Sequence, residues 1–216
     1  MSKIQKITVL FSILLLVACK SGNDFDYAQP LNVCMSEQDM ALLNEACEVF
    51  ELQLLTKYKM DNLSRTYRDY LQDVINVDRD SAFYTSPEIR DVLSKFRTTG
   101  LFEKIWQPAS VVTERKYGQT FSPKNDSLKE EREFFLHAPE AFILDPDAPF
   151  SECMRSVIEV RAVQSYFGLI QASPNMSHNH VAFELAIKLT DEDADNGLTR
   201  IVIAMGFFYP IAMMFE

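Results

Sequence analysis

The sequence predicts an all-α fold: a single multi-helix domain with a buried apolar C-terminal helix and an irregular insertion that has room for a small hairpin. Three observations carry this. Apolar residues recur at three- and four-residue spacing over long stretches, as in Met40, Leu43, Cys47, Phe50, Leu54 and Tyr58, the period of one helix face. Helix start signals precede such stretches, Ser36 followed by Glu37 and Asp39, and Ser86 followed by Pro87, which supply a cap and a pre-set first turn. The last run, Ile201 to Phe215, has no charged residue and must be buried on every side.

In chain order the first feature is a leader. Lys3 and Lys6 precede an almost wholly apolar run from Ile7 to Val17. That is the length of a signal-peptide core and too short to span a bilayer, which takes about 20 residues. The run ends Leu16-Val17-Ala18-Cys19, which resembles the lipobox of bacterial lipoprotein precursors at all four positions. The resemblance covers the leader only. It implies lipidation of the Cys19 thiol, cleavage before Cys19 and an acylated new amino terminus. Several acyl chains would hold the protein firmly, since each buried methylene contributes about 0.8 kcal/mol. An ordinary secretory signal, or an N-terminal anchor that stays attached, is the alternative. In lipoproteins like these an Asp after the Cys suggests inner-membrane retention; Lys20 stands there, which points to the outer membrane. Residues 19–35 read as a lipidated start and flexible tether. Ser21 to Asp26 looks like the acidic tethers of some surface-exposed lipoproteins, or is a plain solvated linker.

Removing the 18 residues before Cys19 from the 216 leaves 198, suited to one domain over residues 36–216. The leader takes two of the 21 basic residues and none of the 31 acids, so 19 against 31 gives the mature chain a net charge of −12. That argues against nucleic acid and against anionic membrane surfaces as non-specific partners. Besides Cys19 the chain has Cys34, Cys47 and Cys153, enough for one internal disulfide in an oxidising compartment. The sequence does not choose the pair. Cys34 with Cys153 is preferred because Cys47 lies on an apolar helix face.

Helices are expected over about 37–59, over about 63–77 with Leu63, Tyr67, Leu71, Val74 and Ile75 inward, and from Pro87 to the Thr98-Thr99-Gly100 stop. Leu101 to Trp106 forms a short apolar turn closed by Pro108. Residues 107–149 hold five of the nine prolines and read as the irregular insertion or lid, with Val111 to Phe121 pairing as a hairpin around Gly118 and Ser127 to His137 helical. One helix is expected from Ser151 to about Gln171 and another from Val181 to Leu189. The apolar C-terminal run would be about 22 Å long as a helix, short of a bilayer's core, and kinked by Gly206 and Pro210.

Four chemistries deserve a place on this chain. Asp191-x-Asp193-x-Asp195 puts three carboxylates at alternate positions of a connecting loop, hard oxygen ligands suited to Ca²⁺. It resembles the EF-hand calcium loop as far as Leu198 and Thr199. It departs at Gly197, one residue late behind Asn196, and at Val202, where the bidentate Glu belongs. The alternative is an acid-rich connector with Asp195 or Asn196 capping the last helix. His178 and His180 lie two apart, on different sides of a helix, and would act together only in an extended turn. A thiol nucleophile would need Cys34, Cys47 or Cys153 beside His137, His178 or His180; Cys153 is favoured by a helix start but opposed by Glu152. Paired carboxylates, as in glycoside hydrolysis, gain no support beyond the number of acids.

Two functions follow. The first is a lipid-anchored envelope module that binds a protein or glycan in a groove or through the insertion, where Trp106, Tyr117, Phe121, Phe134, Phe135 and Phe142 supply aromatics that otherwise belong to the core. The second is a periplasmic or surface hydrolase using a Cys or a carboxylate pair. No cofactor is implied beyond calcium.

Overall fold

The computed structural model describes residues 25–60, 62–78, 80–117, 141–174 and 176–216. The fold is all-α, with one two-stranded sheet among the described residues. Helix α1 (Glu37–Tyr58) is its axis. Ser36 starts it with a capping box: its hydroxyl accepts from the Asp39 N–H at 3.1 Å and the Asp39 carboxylate accepts from the Ser36 N–H. Lys59, in the left-handed region, ends it. Leu43, Cys47, Phe50 and Leu54 are fully buried along one stripe. Helix α2 (Leu63–Ile75) and the short α3 (Ser81–Tyr84) follow. Helix α4 (Pro87–Thr99) is capped by Ser86 and stopped by Gly100 at φ 75°, the conformation that favours glycine.

The insertion departs from expectation in two ways. Residues of the expected hairpin form helix α5 (Ala109–Tyr117) instead. The sheet pairs β1 (Trp106–Pro108) with β2 (Phe142–Leu144), antiparallel, Trp106 opposite Leu144. The pairing is long-range, so the local alternation around Gly118 could not reveal it. Arg115 of α5 then holds the buried Asp145 just after β2 at 2.9 Å. The helix expected at Ser127 to His137 lies outside the described residues.

The single helix expected over Ser151–Gln171 is two, α6 (Pro149–Val157) and α7 (Arg161–Ala172). Ile158 and Val160 between them are extended, the preference of β-branched residues when packing allows it. The Gln164 side chain donates to the Ile158 carbonyl at 2.9 Å, so the break leaves that group paired. Helix α8 (His178–Ala186) packs on α2, and the acidic segment that reads as a loop is a turn of helix, α9 (Asp191–Asp195).

The C-terminal run is α10 (Gly197–Ile203), a π turn (Ala204–Phe208) and α11 (Tyr209–Met213); Leu198 to Met213 are all buried. The change of register has a local cause. Pro210 has no N–H and its ring would meet the carbonyl four residues back. In the π register the Tyr209 N–H bonds to the Ala204 carbonyl, which deprives Met205 of its α-helical donor, and Pro210 cannot replace it. The Trp106 indole N–H fills the vacancy, donating to the Met205 carbonyl at 2.7 Å. Around this point Phe50 stacks on Phe208 at 4.4 Å, and Phe96 and Tyr209 flank Trp106. Among the described residues no helix is long and apolar enough to cross a membrane.

The chain is packed sooner than the sequence suggests. Expected to be tether as far as residue 35, it has Tyr27, Ala28 and Leu31 buried and a 3-10 turn at Gln29–Val33. The Asn44 side chain explains this locally: it accepts from the Ala28 N–H at 2.9 Å and donates to Asp26 at 2.8 Å.

Candidate functional site: a polar groove beside a buried arginine

Arg200 of α10 is the organising charge. Only 8% exposed, its guanidinium donates to Glu51 of α1 at 3.1 Å, to Asp195 at 3.0 Å and to the Ala194 carbonyl at 2.9 Å. Its planar face lies 5.5 Å from the Tyr67 ring and 5.6 Å from Phe25. Glu51 also accepts from Tyr27 at 2.7 Å and Tyr67 at 3.0 Å. Burial first, then the adjacent Glu51 carboxylate, pushes both phenols far above the ordinary tyrosine range. This network joins the start of the folded chain to α1, α2 and the C-terminal run. It is closed: every charge has a partner.

Beside it lies an open groove of about 590 Å³ along α7 and α9, lined by Glu159, Arg161, Ser165, Lys188, Thr190, Glu192, Asp193 and Asn196. The break at Ile158–Val160 forms one wall. Asn196 and Glu159 are shared with a second hollow of about 280 Å³ beneath Phe25 and Pro30. Three carboxylates, two cations and two hydroxyls face one channel.

The structure does not bring the three aspartates together. Thr190 caps α9 in a capping box with Asp193, at 3.1 and 3.0 Å. Asp191 pairs with Arg68 at 2.7 Å, and Asp195 serves Arg200 and Ser64. A helical turn with its own cap spreads side chains that a calcium loop would converge. Among the described residues no group of three or more His, Cys, Asp or Glu is placed to hold a metal ion. Asn196 accepts from Leu198 and Thr199 N–H groups at 3.0 and 3.3 Å, capping α10.

Cys34 and Cys153 are joined in a disulfide with Cα atoms 5.7 Å apart, tying the lead-in to α6. Cys47 is free and fully buried, and burial pushes its thiol well up, away from the thiolate a nucleophile needs. His178 and His180 share the first turn of α8, the first half-buried and the second exposed, and do not converge. Cys19 and His137 lie outside the described residues.

A second concavity sits under the π turn. It is a cleft of about 30 Å³ between β2, α7 and α8, room for a water or two. The Tyr166 hydroxyl, on a residue 4% exposed, rests on Gly206, where a Cβ would overlap it.

Sequence reasoning missed Arg200, Glu51 and Tyr27. One signal was available: Arg200 is the last charge before a long uncharged run, and a charge at the edge of a buried helix must be paired. The chain matches no family model, no curated protein and no solved structure in the three comparisons made.

Proposed function

We propose that this chain is a lipid-anchored binding module of the bacterial cell envelope, held to the outer membrane through Cys19, and that the groove along α7 and α9 receives a polar partner, a protein segment or a glycan. The groove carries the reading. It is open and lined by charges of both signs, a surface for hydrogen-bonded recognition. Arg161 is exposed at the groove, where its guanidinium fork suits a partner's carboxylate. The three described cysteines present no accessible thiolate, so the thiol form of the hydrolase alternative gains nothing from the geometry.

The test is a photo-activated cross-linker at Ser165 in intact envelopes. A discrete adduct is expected, reduced several-fold by Arg161→Glu and by the unanchored Cys19→Ser form. No adduct from the anchored protein would overturn the reading.

A further inference from the structure

The inference concerns which surface of the protein faces the bilayer; it rests on the lipid-anchor proposal and goes further by naming that surface. The stretch Phe25–Met35 carries one charge, Asp26, in a chain that is 24% charged. Asp26 is already engaged by Asn44. Phe25 is 46% exposed and Val33 72%. Pro30 is exposed on the same 3-10 turn, three residues before Val33, and residues three apart eclipse on such a turn. Phe25 and Pro30 line one hollow with Val157. Phe25 and Pro30 thus meet at one hollow, and Pro30 and Val33 on one turn: three exposed apolar side chains close together in the lead-in of an otherwise acidic protein.

The length of the tether says what covers it. Five residues separate Cys19 from Phe25, six steps of the chain and a reach of about 20 Å at full extension. From Asp26 onward the chain is fixed, by Asn44 on Asp26 and Ala28 and by Tyr27 on Glu51. A folded chain of this size has a radius of gyration of about 16 Å and so a width of about 40 Å. The leash is half that width. It lets the Phe25 end lie on the membrane and cannot pass round the domain to bring the opposite end there. We propose that Phe25, Pro30 and Val33 rest on the lipid surface, a second and reversible contact beside the acyl anchor, while the acidic remainder faces away. The groove, which shares Glu159 and Asn196 with the hollow beneath Phe25, then opens beside the bilayer.

The test uses the full lipidated protein in phosphatidylcholine vesicles whose acyl chains are brominated near the headgroup. Phe25→Trp places a reporter on the proposed contact. Asn76→Trp places one at the far end of α2, whose near end meets Asp195 through Ser64. The buried Trp106 supplies the same background in both, measured on the unsubstituted protein. Bromolipid is expected to quench the Phe25→Trp signal several-fold more than the Asn76→Trp signal. Equal quenching, or none, in protein shown by mass to be acylated and by flotation to be vesicle-bound, would overturn the surface assignment and leave the anchor standing. A mature chain without acyl mass would overturn both. Circular dichroism of each variant confirms that it is folded.

Discussion

The C-terminal run buries different things at its two ends. At its start it buries the Arg200 guanidinium, matched by Glu51, Asp195, a carbonyl and two rings. At the π turn it buries rings and one displaced carbonyl, matched by the Trp106 indole. Both ends solve the same problem, a polar group in a low-dielectric interior. The charged solution is directional and recruits distant segments: it fixes where the chain enters the fold. The apolar solution fills volume and corrects a local backbone defect. The polar groove lies beside the first, where unburied polar groups and the helix break at Ile158–Val160 cluster.

The largest expected effect comes from breaking the charged end. Arg200→Met strands Glu51, whose side chain is 14% exposed, and is expected to cost about 3–5 kcal/mol in urea unfolding. Adding Glu51→Gln should recover a good part of it. If Arg200→Met alone is near neutral, the cluster does not organise the fold. At the other end, Trp106→Phe leaves the Met205 carbonyl unpaired and a void beside Phe96, together about 3 kcal/mol, in the same assay.

Gly206→Ala sharpens the comparison by testing volume alone. Its Cβ meets the Tyr166 hydroxyl, and overpacking of this kind costs about 1–3 kcal/mol. Tyr166→Phe in the same chain should relieve it. Asn196→Ala removes the α10 cap and is expected to cost about 1 kcal/mol, with Arg200 still paired.

The smallest effect is a pH dependence. Burial raises the Asp39 carboxyl, but hydrogen bonds from Lys104 and Ser36 outweigh it and hold it below the ordinary carboxylate value. A depressed folded value means the stabilisation is present above the unfolded carboxylate range, about pH 4, and is lost as pH falls through the folded value. Asp39→Asn should therefore flatten the loss of stability between neutral and acidic pH. An unchanged acid limb would assign that loss to other carboxylates.

Much of the fold was legible in the sequence because its signals are local. The stripe of α1, the caps at Ser36 and Ser86, the Gly100 stop and the burial of the C-terminal run all follow from contacts within a turn or two of helix. The cap of α10 was legible for the same reason as Asp195 or Asn196, and the structure gives it to Asn196. The candidate site was hardly legible. Asp191, Asp193 and Asp195 look like ligands in a row, and whether they converge depends on Thr190 beginning a helix and on Arg68 and Arg200 arriving from elsewhere.

What the sequence by itself determined is therefore the helices α1, α2, α4 and α8 with their apolar faces, the interruption of the last helix at Gly206 and Pro210, and the leader's resemblance to a lipobox. The tertiary structure alone decided the pairing of β1 with β2, the split at Ile158–Val160, and the bonds from Arg200 to Glu51 and Trp106 to Met205, which span 149 and 99 residues. Periodicity and capping are properties of neighbouring residues. Which charge meets which across such distances is settled only when the faces pack and water leaves, since only then does an unmatched polar group become costly.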